Sequence, residues 1–139
     1  MLETVRTGGL EMRFFQTKDT TDGSLDLFEM TLLPNAHMPV AHHHESWDET
    51  VQGLEGTTTW IVDGVERTLH PGESLFIKRG VVHAFRNDTR ETAKVLSVLT
   101  PGVLGIQYFR GMAELLAVTP PEWEKMKALM LRNGLIPKP

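Results

Sequence analysis

Apolar and polar positions alternate over short stretches of the first 110 residues, which is the pattern of half-buried β-strands. Pairs of turn-forming residues, rich in Gly, Pro, Asn and Asp, separate the stretches. The segments follow one another too closely for crossover helices, so the pattern predicts an all-β antiparallel sandwich or barrel. The predicted strands are residues 12–16, 25–33, 57–62, 65–70, 74–77, 81–86 and 94–100.

The Asp63-Gly64 pair is the clearest local turn signal in the chain. It lies between the alternating segments 57–62 and 65–70. An Asp-Gly pair suits a two-residue hairpin turn, because such a turn needs positive φ at its central positions. We therefore expect these two strands to pair antiparallel.

From residue 119 the pattern takes on the period of a helix. Residues 119–122, Thr-Pro-Pro-Glu, are typical of a helix N-terminus with a capping threonine and a proline in the first turn. Trp123, Met126 and Met130 follow at helical spacing, and residues 133–134, Asn-Gly, provide a stop.

A second short helix is predicted at residues 106–117. The expected organisation is a β-barrel domain over residues 1–118 with a C-terminal helix and tail over residues 119–139. We expect this tail to pack on the barrel, because its apolar stripe needs a partner.

Composition describes an ordinary single-domain protein of 139 residues, with 40 % hydrophobic and 23 % charged residues. The net charge of -4 provides no basic excess for a phosphate backbone, so we expect no nucleic-acid partner. There are no cysteines, so a metal site would have to use nitrogen and oxygen ligands. Residues 1–14 have neither the core of a signal peptide nor a spanning segment, so we expect no membrane association and a cytoplasmic location.

The most informative chemistry lies in residues 42–49, His-His-His-Glu-Ser-Trp-Asp-Glu. In an extended strand, successive side chains point to opposite faces. His42 and His44 therefore share one face, and His43 points away from it. Two imidazoles on one strand face can bind one metal ion together.

Glu49 and His83 complete the candidate ligand set. Glu49 lies at an odd offset from His44, so a bend at residues 46–48 is needed to bring it to the same side. Together with His83 further along the chain, this arrangement would offer three imidazoles and one carboxylate to a single ion.

The same residues resemble the two motifs of the cupin superfamily. The first motif is G-x5-H-x-H-x3 or 4-E-x6-G, and its matches are His42, His44, Glu49 and Gly56. The second motif is G-x5-P-x-G-x2-H-x3-N, and its matches are Gly72, Gly80, His83 and Asn87. Ala36 replaces the leading glycine of the first motif, and Lys78 replaces the proline of the second. The resemblance implies a double-stranded β-helix, the jelly-roll barrel of small single-domain cupins.

The resemblance also implies that His42, His44, Glu49 and His83 bind one divalent transition metal, which could be Fe, Mn, Ni, Co, Cu or Zn. Asp48 is the competing carboxylate, but Glu49 leaves the following glycine at the family's spacing. Four protein ligands around an octahedral ion leave two positions open to substrate or dioxygen. Glu49 is also the expected catalytic residue, because it can take up a substrate proton.

Aromatic side chains are the candidates for the pocket wall beside the metal. Phe85 lies two residues after the last histidine ligand and shares its face in a regular strand. Trp60 and Phe76 are further candidates. Nothing in the spacing aims Tyr108 or residues 78–79, Lys-Arg, at the site, so whether they reach the pocket stays open.

Segments 100–102, Thr-Pro-Gly, and 108–110, Tyr-Phe-Arg, are similar to the region after the last barrel strand in quercetinase-like cupins. This resemblance implies a dioxygenase that acts on a small enol, diol or phenolic substrate. A non-redox metal-dependent isomerase or lyase and a non-catalytic small-molecule-binding cupin are the alternatives. The family also implies a homodimer, for which residues 1–14 and 121–131 are the first contact segments to test.

Overall fold

The structure is a computed structural model that describes residues 2–139, and this range contains eleven β-strands and two α-helices. The strands are β1 Glu3–Thr7, β2 Leu10–Gln16, β3 Asp26–Leu32, β4 His42–His44, β5 Asp48–Glu55, β6 Thr58–Val62, β7 Val65–Leu69, β8 Ser74–Ile77, β9 His83–Arg86, β10 Ala93–Thr100 and β11 Leu135–Pro137. The helices are α1 Ile106–Leu116 and α2 Trp123–Arg132. Neither helix is long and apolar enough to cross a membrane, and the described range contains no other helix.

The strands form two antiparallel sheets. The six-stranded sheet has the order β1-β2-β3-β10-β5-β8, and the five-stranded sheet has the order β11-β4-β9-β6-β7. Strands β3 and β10 bury alternate side chains, and the buried residues of both sheets belong to one hydrophobic cluster. The two sheets therefore cover a common core, and the predicted all-β fold of jelly-roll type with short C-terminal helices is confirmed.

Strands β4 and β5 are consecutive in the chain but belong to different sheets. The chain bends at residues 45–46, and the fully buried Trp47 precedes the start of β5 at Asp48. The bend lies slightly earlier than the expected 46–48. Because of this bend, Glu49 faces the histidines of β4 from the opposite sheet. The bend therefore explains how Glu49 and His44 lie on the same side despite the odd offset between their positions in the chain.

The hairpin at Asp63-Gly64 agrees with its prediction. Strands β6 and β7 pair antiparallel around it, with Val62 opposite Val65. Asp63 has a φ of 53° and Gly64 a φ of 77°, which are the positive values that a primed hairpin turn requires.

Strand β5 was not predicted, because its inward positions are not all apolar. Glu49, Val51 and Gly53 share the buried face, so a carboxylate and a glycine interrupt the apolar alternation. Gly53 is required by a close backbone approach, since a Cβ at this position would lie 2.3 Å from the carbonyl oxygen of His70.

The C-terminal segment differs in detail from its prediction. Helix α2 begins at Trp123, later than a cap at Thr119 implies, and Glu122 precedes it without a side-chain capping hydrogen bond. After the turn at Gly134, β11 pairs with β4 and places Leu135 opposite His44. Residues 119–139 thus contribute a strand to the five-stranded sheet, while the proposed boundary at residue 118 stays a prediction.

Candidate metal centre

Three buried histidine side chains converge at one point between the sheets. His42 lies directly opposite His83 in the antiparallel pairing of β4 with β9, and His44 lies two residues further along β4. The Nε2 atoms of His42 and His44 are 3.2 Å apart, and one ring nitrogen from each of the three residues lies within 4.8 Å of the others. This spacing matches ligands around a single ion.

Backbone carbonyl groups set the orientation of two of the three rings. Nδ1 of His42 lies 2.8 Å from the carbonyl oxygen of Val40, and Nδ1 of His83 lies 3.0 Å from that of Val81. A carbonyl oxygen can only accept, so Nδ1 donates in both residues and Nε2 of the neutral ring keeps its lone pair. The lone pair of His42 therefore points toward the cluster.

The Nε2 atom of His83 supports the presence of an ion at this point. It is buried and has no hydrogen-bond partner within residues 2–139. A buried polar atom without a partner costs roughly 1–3 kcal/mol, and coordination to a metal ion would remove that cost. The residues therefore fit a metal with nitrogen ligands.

The protonation state also favours metal binding. Burial lowers the pKa of His42 to about 3, with the His83 ring adding to the effect. Burial likewise lowers the pKa of His44 to about 2, again reinforced by His83. Both rings are neutral at physiological pH, which is the form that ligates metals.

Glu49 lies beside the histidine cluster on the opposite sheet. Its Oε1 is 3.7 Å from Nε2 of His83, and its Oε2 accepts a hydrogen bond of 2.5 Å from the Ser97 hydroxyl. Burial raises the pKa of this carboxyl, while His83 and Ser97 act in the opposite direction. The close cluster itself consists of the three histidines, so the role of Glu49 as a fourth ligand stays a prediction.

Asp48, the competing carboxylate, points away from the cluster. Its two oxygens accept hydrogen bonds of 3.1 Å from Nε and Nη2 of Arg79, which hold the pKa of the Asp48 carboxyl below its usual value. Lys78 and Arg79 are exposed and do not line the cavity beside the histidines. This ion pair therefore belongs to the surface.

An apolar cavity of about 100 Å³ opens beside His42, His44 and Glu49. This volume is several times the roughly 10–15 Å³ that one water needs, so the cavity can hold a small molecule. The C-terminal helices supply part of its wall. Their contributions are Tyr108, Phe109, Met112 and Leu116 from α1 and Met130 from α2.

The structure distinguishes among the expected pocket residues. Phe85 lines the cavity together with two of the histidines. Trp60 is fully buried and packs against the Phe85 ring at 4.9 Å, so it lies behind the wall instead of forming it. Phe76 is 59 % exposed, because its neighbours Leu75 and Ile77 take the inward positions of β8. The expectation that Trp60 and Phe76 line the pocket is corrected accordingly.

Sequence reasoning missed Ser97, considered Trp47 only as a candidate for the pocket wall, and left the position of Tyr108 open. Ser97 is a polar residue in the inward register of β10, and that register could have revealed it. Trp47 stacks on the His44 ring, with centroids 4.7 Å apart and 19° between planes. Tyr108 lines the cavity, and only the packing of α1 on the barrel could place it there.

Two antiparallel sheets with a three-histidine cluster between them define a protein of the cupin class. The cupin domain family, Cupin_2, matches residues 28–99 of this sequence. The chain therefore belongs to the cupin family. The match includes all four predicted ligands.

Relatives and solved structures agree with this assignment. Quercetin 2,3-dioxygenase of Bacillus subtilis (strain 168) is 33 % identical over 108 residues, which are 78 % of this chain but 31 % of that enzyme. The chain thus spans about a third of that relative. A structure described as a predicted oxalate decarboxylase from Thermotoga maritima has a TM-score of 0.65 at 20 % identity, covering 73 % of this chain and 92 % of that one.

The polyketide cyclase RemF from Streptomyces resistomycificus gives a TM-score of 0.61 at 26 % identity, covering 71 % of this chain and 73 % of that one. The names of these three proteins describe different activities, and the two solved structures share the fold of this chain. The histidine cluster and the dioxygenase relative together suggest a metal ion, whose identity they leave undetermined.

Proposed function

We propose that this cupin is a metal-dependent dioxygenase acting on a small apolar substrate with an enol, diol or phenolic oxygen. The observation that carries the proposal is the convergence of three imidazoles beside the buried carboxylate of Glu49, with two of the imidazoles and this carboxylate lining an apolar cavity. In this proposal His42, His44, His83 and Glu49 bind one divalent transition metal from the series Fe, Mn, Ni, Co, Cu and Zn.

The character of the cavity supports an apolar substrate. Among residues 2–139, its lining contains no lysine or arginine, and Glu49 is its one acidic residue. A dianionic substrate such as a sugar phosphate would lack a cationic partner there, and burying its charge would be costly. Aromatic and methionine side chains instead provide apolar contacts for a ring system.

The bound metal would supply open coordination positions and Lewis acidity for the substrate oxygen. The protein would contribute the proton acceptor. Burial raises the pKa of Glu49, which brings this carboxyl closer to the range useful for a general base. The apolar wall excludes water from the reacting carbon, and dioxygen is the oxidant whose two atoms enter the product.

A non-redox reaction is the second candidate, and the similarity to the polyketide cyclase RemF favours it. In this case Glu49 would act as a base and Tyr108 as an acid in an isomerisation, cyclisation or lyase reaction. Burial raises the pKa of Tyr108, so its hydroxyl remains protonated and able to donate.

The test is elemental analysis of the protein, purified without a metal-affinity step, followed by oxygen uptake with flavonol, diketone and catechol-like compounds. We expect about one transition metal per chain and oxygen uptake that depends on the organic substrate. The matched control is His42→Ala, which should show neither.

Other outcomes would change the proposal. Bound zinc without oxygen uptake would favour the non-redox reaction. Absence of metal after growth with each candidate metal would contradict both enzymatic proposals and favour a protein that binds small molecules without catalysis.

The proposal also includes the expected oligomeric state, binding partners and location of the protein. A homodimer, a small-molecule substrate and a cytoplasmic location stay predictions, as does the absence of nucleic-acid and membrane partners. Sedimentation of the purified protein tests the homodimer directly, and substitutions in β1 or α2 test the expected contact segments.

A further inference from the structure

The three histidines are not held in the same way. His42 and His83 each donate Nδ1–H to a backbone carbonyl. Within residues 2–139, the Nδ1 atom of His44 has no backbone carbonyl as a hydrogen-bond partner, and its Nε2 lies 3.2 Å from Nε2 of His42. Its ring is instead stacked on the indole of Trp47, at 4.7 Å between centroids and 19° between planes.

The indole of Trp47 is itself held firmly. Its side chain has no exposed surface, and its Nε1 is buried without a hydrogen-bond partner in the described range. A Cβ on Gly134 would lie 3.1 Å from the edge of the indole, so the backbone at Gly134 packs closely against it. The carbonyl of Gly134 also accepts a hydrogen bond of 2.9 Å from the Glu45 backbone N–H.

This packing connects Trp47 to the C-terminal end of the ligand strand β4. Leu135, the residue after Gly134, pairs with His44 in the sheet, and Glu45 follows His44 in the chain. The indole therefore contacts a turn whose position is fixed relative to the His44 backbone. A rigid aromatic surface in this place limits rotation of the His44 ring about its χ2 angle.

We propose that Trp47 is the positioning residue for His44, replacing by stacking the carbonyl hydrogen bond that orients the other two histidines. The proposal rests on the proposed metal site. Residues that orient metal ligands typically change metal affinity about 10–100-fold when they are removed. The electron-rich indole face would also favour the partial positive charge that a metal-bound imidazole acquires.

The test uses Co(II) alone, titrated into metal-free full-length protein and followed by calorimetry and by the visible absorption of the bound ion. Trp47→Leu removes the stacking surface, and we expect about 10–100-fold weaker binding and an altered Co(II) spectrum. Trp47→Phe keeps an aromatic face and should restore affinity to within about 3-fold, with the wild-type spectrum. Trp47→Met provides a second unstacked variant if Trp47→Leu does not fold.

Trp60→Leu is the matched control, since Trp60 is also fully buried but packs, with rings tilted by 40°, against Phe85 instead of a ligand. Both leucine variants should lose stability in EDTA, whereas only Trp47→Leu should lose affinity. Equal affinity losses in the two variants, or unchanged affinity in the folded Trp47 variants, would overturn the role of Trp47. Failure of the wild type to bind Co(II) would instead contradict the metal site itself and the positioning role with it.

Discussion

The hydroxyl of Ser97 lies 2.5 Å from Oε2 of Glu49, although the two residues are 48 positions apart in the chain. The pairing of β10 with β5 explains this contact, because Glu49 is opposite Leu99 and Ser97 is the next inward residue of β10. Ser97 therefore orients the carboxylate by a hydrogen bond to its charged form.

We expect Ser97→Ala to weaken metal binding about 10-fold, because Glu49 would lose the partner that holds its carboxylate in place. The pKa of Glu49 should also rise further, since Ser97 opposes the effect of burial. Metal affinity by competition with a chelator measures the first effect, and its dependence on pH measures the second.

Thr58→Val is the control for the Ser97 substitution. It also removes a fully buried hydroxyl, but this hydroxyl accepts a hydrogen bond of 2.8 Å from Nε1 of Trp60 and makes no hydrogen bond to the predicted ligands within residues 2–139. We expect it to reduce stability by about 1–3 kcal/mol, because the buried Nε1 of Trp60 loses its partner, without changing metal affinity. Unchanged affinity in Ser97→Ala would show that Glu49 does not depend on this bond.

Much of the fold could be predicted because strands of regular alternation dominate it. Strands β3 and β10 have alternately buried positions, and the Asp63-Gly64 turn has distinctive chemistry. Strand β5 was missed for the opposite reason, since the inward Glu49 is polar for function and Gly53 is small for a backbone contact. Where function sets the type of an inward residue, the alternation of apolar and polar residues no longer indicates a strand.

The second prediction concerns the histidine cluster as a metal site. His42→Ala should abolish stoichiometric metal binding, because it removes one of three converging nitrogens. His43→Ala is the control, since His43 occupies the outward position between two buried ligands. Metal content by elemental analysis and folding by circular dichroism provide the measurements. Full metal retention by folded His42→Ala would overturn the ligand assignment.

The cavity wall was harder to predict than the ligands. Phe85 follows from strand alternation, since it lies on the face of His83. Tyr108 and Met130 reach the cavity only because α1 and α2 fold back over the barrel. Helix docking of this kind depends on tertiary contacts, which local spacing does not specify. Phe76 shows the converse, because an aromatic residue can occupy the outward position of an edge strand.

The third prediction concerns the pH dependence of the metal-free protein. Folding lowers the pKa of His42 to about 3 and that of His44 to about 2, from an ordinary 6.5. Below pH 6.5 the unfolded chain thus binds more protons than the folded chain, and stability falls as the pH falls. Each imidazole contributes about 1.4 kcal/mol per pH unit well below 6.5. Denaturant unfolding in EDTA between pH 7.5 and 5 measures this slope.

The variant His42→Gln isolates one contribution to this slope. It should give a shallower loss of stability on acidification than the wild type. Glu49 acts in the opposite direction, because its raised pKa lets the folded state take up a proton first. Equal slopes for His42→Gln and the wild type would contradict a neutral, buried His42 in the metal-free fold.

The last prediction concerns Tyr108, whose hydroxyl is the one phenol on the cavity wall. Burial raises its pKa, so it can donate a hydrogen bond to a substrate oxygen. Tyr108→Phe should raise KM roughly 2–10-fold and leave metal content unchanged, because a neutral hydrogen bond contributes about 0.5–1.5 kcal/mol. Steady-state oxygen uptake with a flavonol measures this change. An unchanged KM would mean that Tyr108 provides only apolar contact with the substrate. A loss of bound metal in Tyr108→Phe would instead mean that Tyr108 supports the metal ligands.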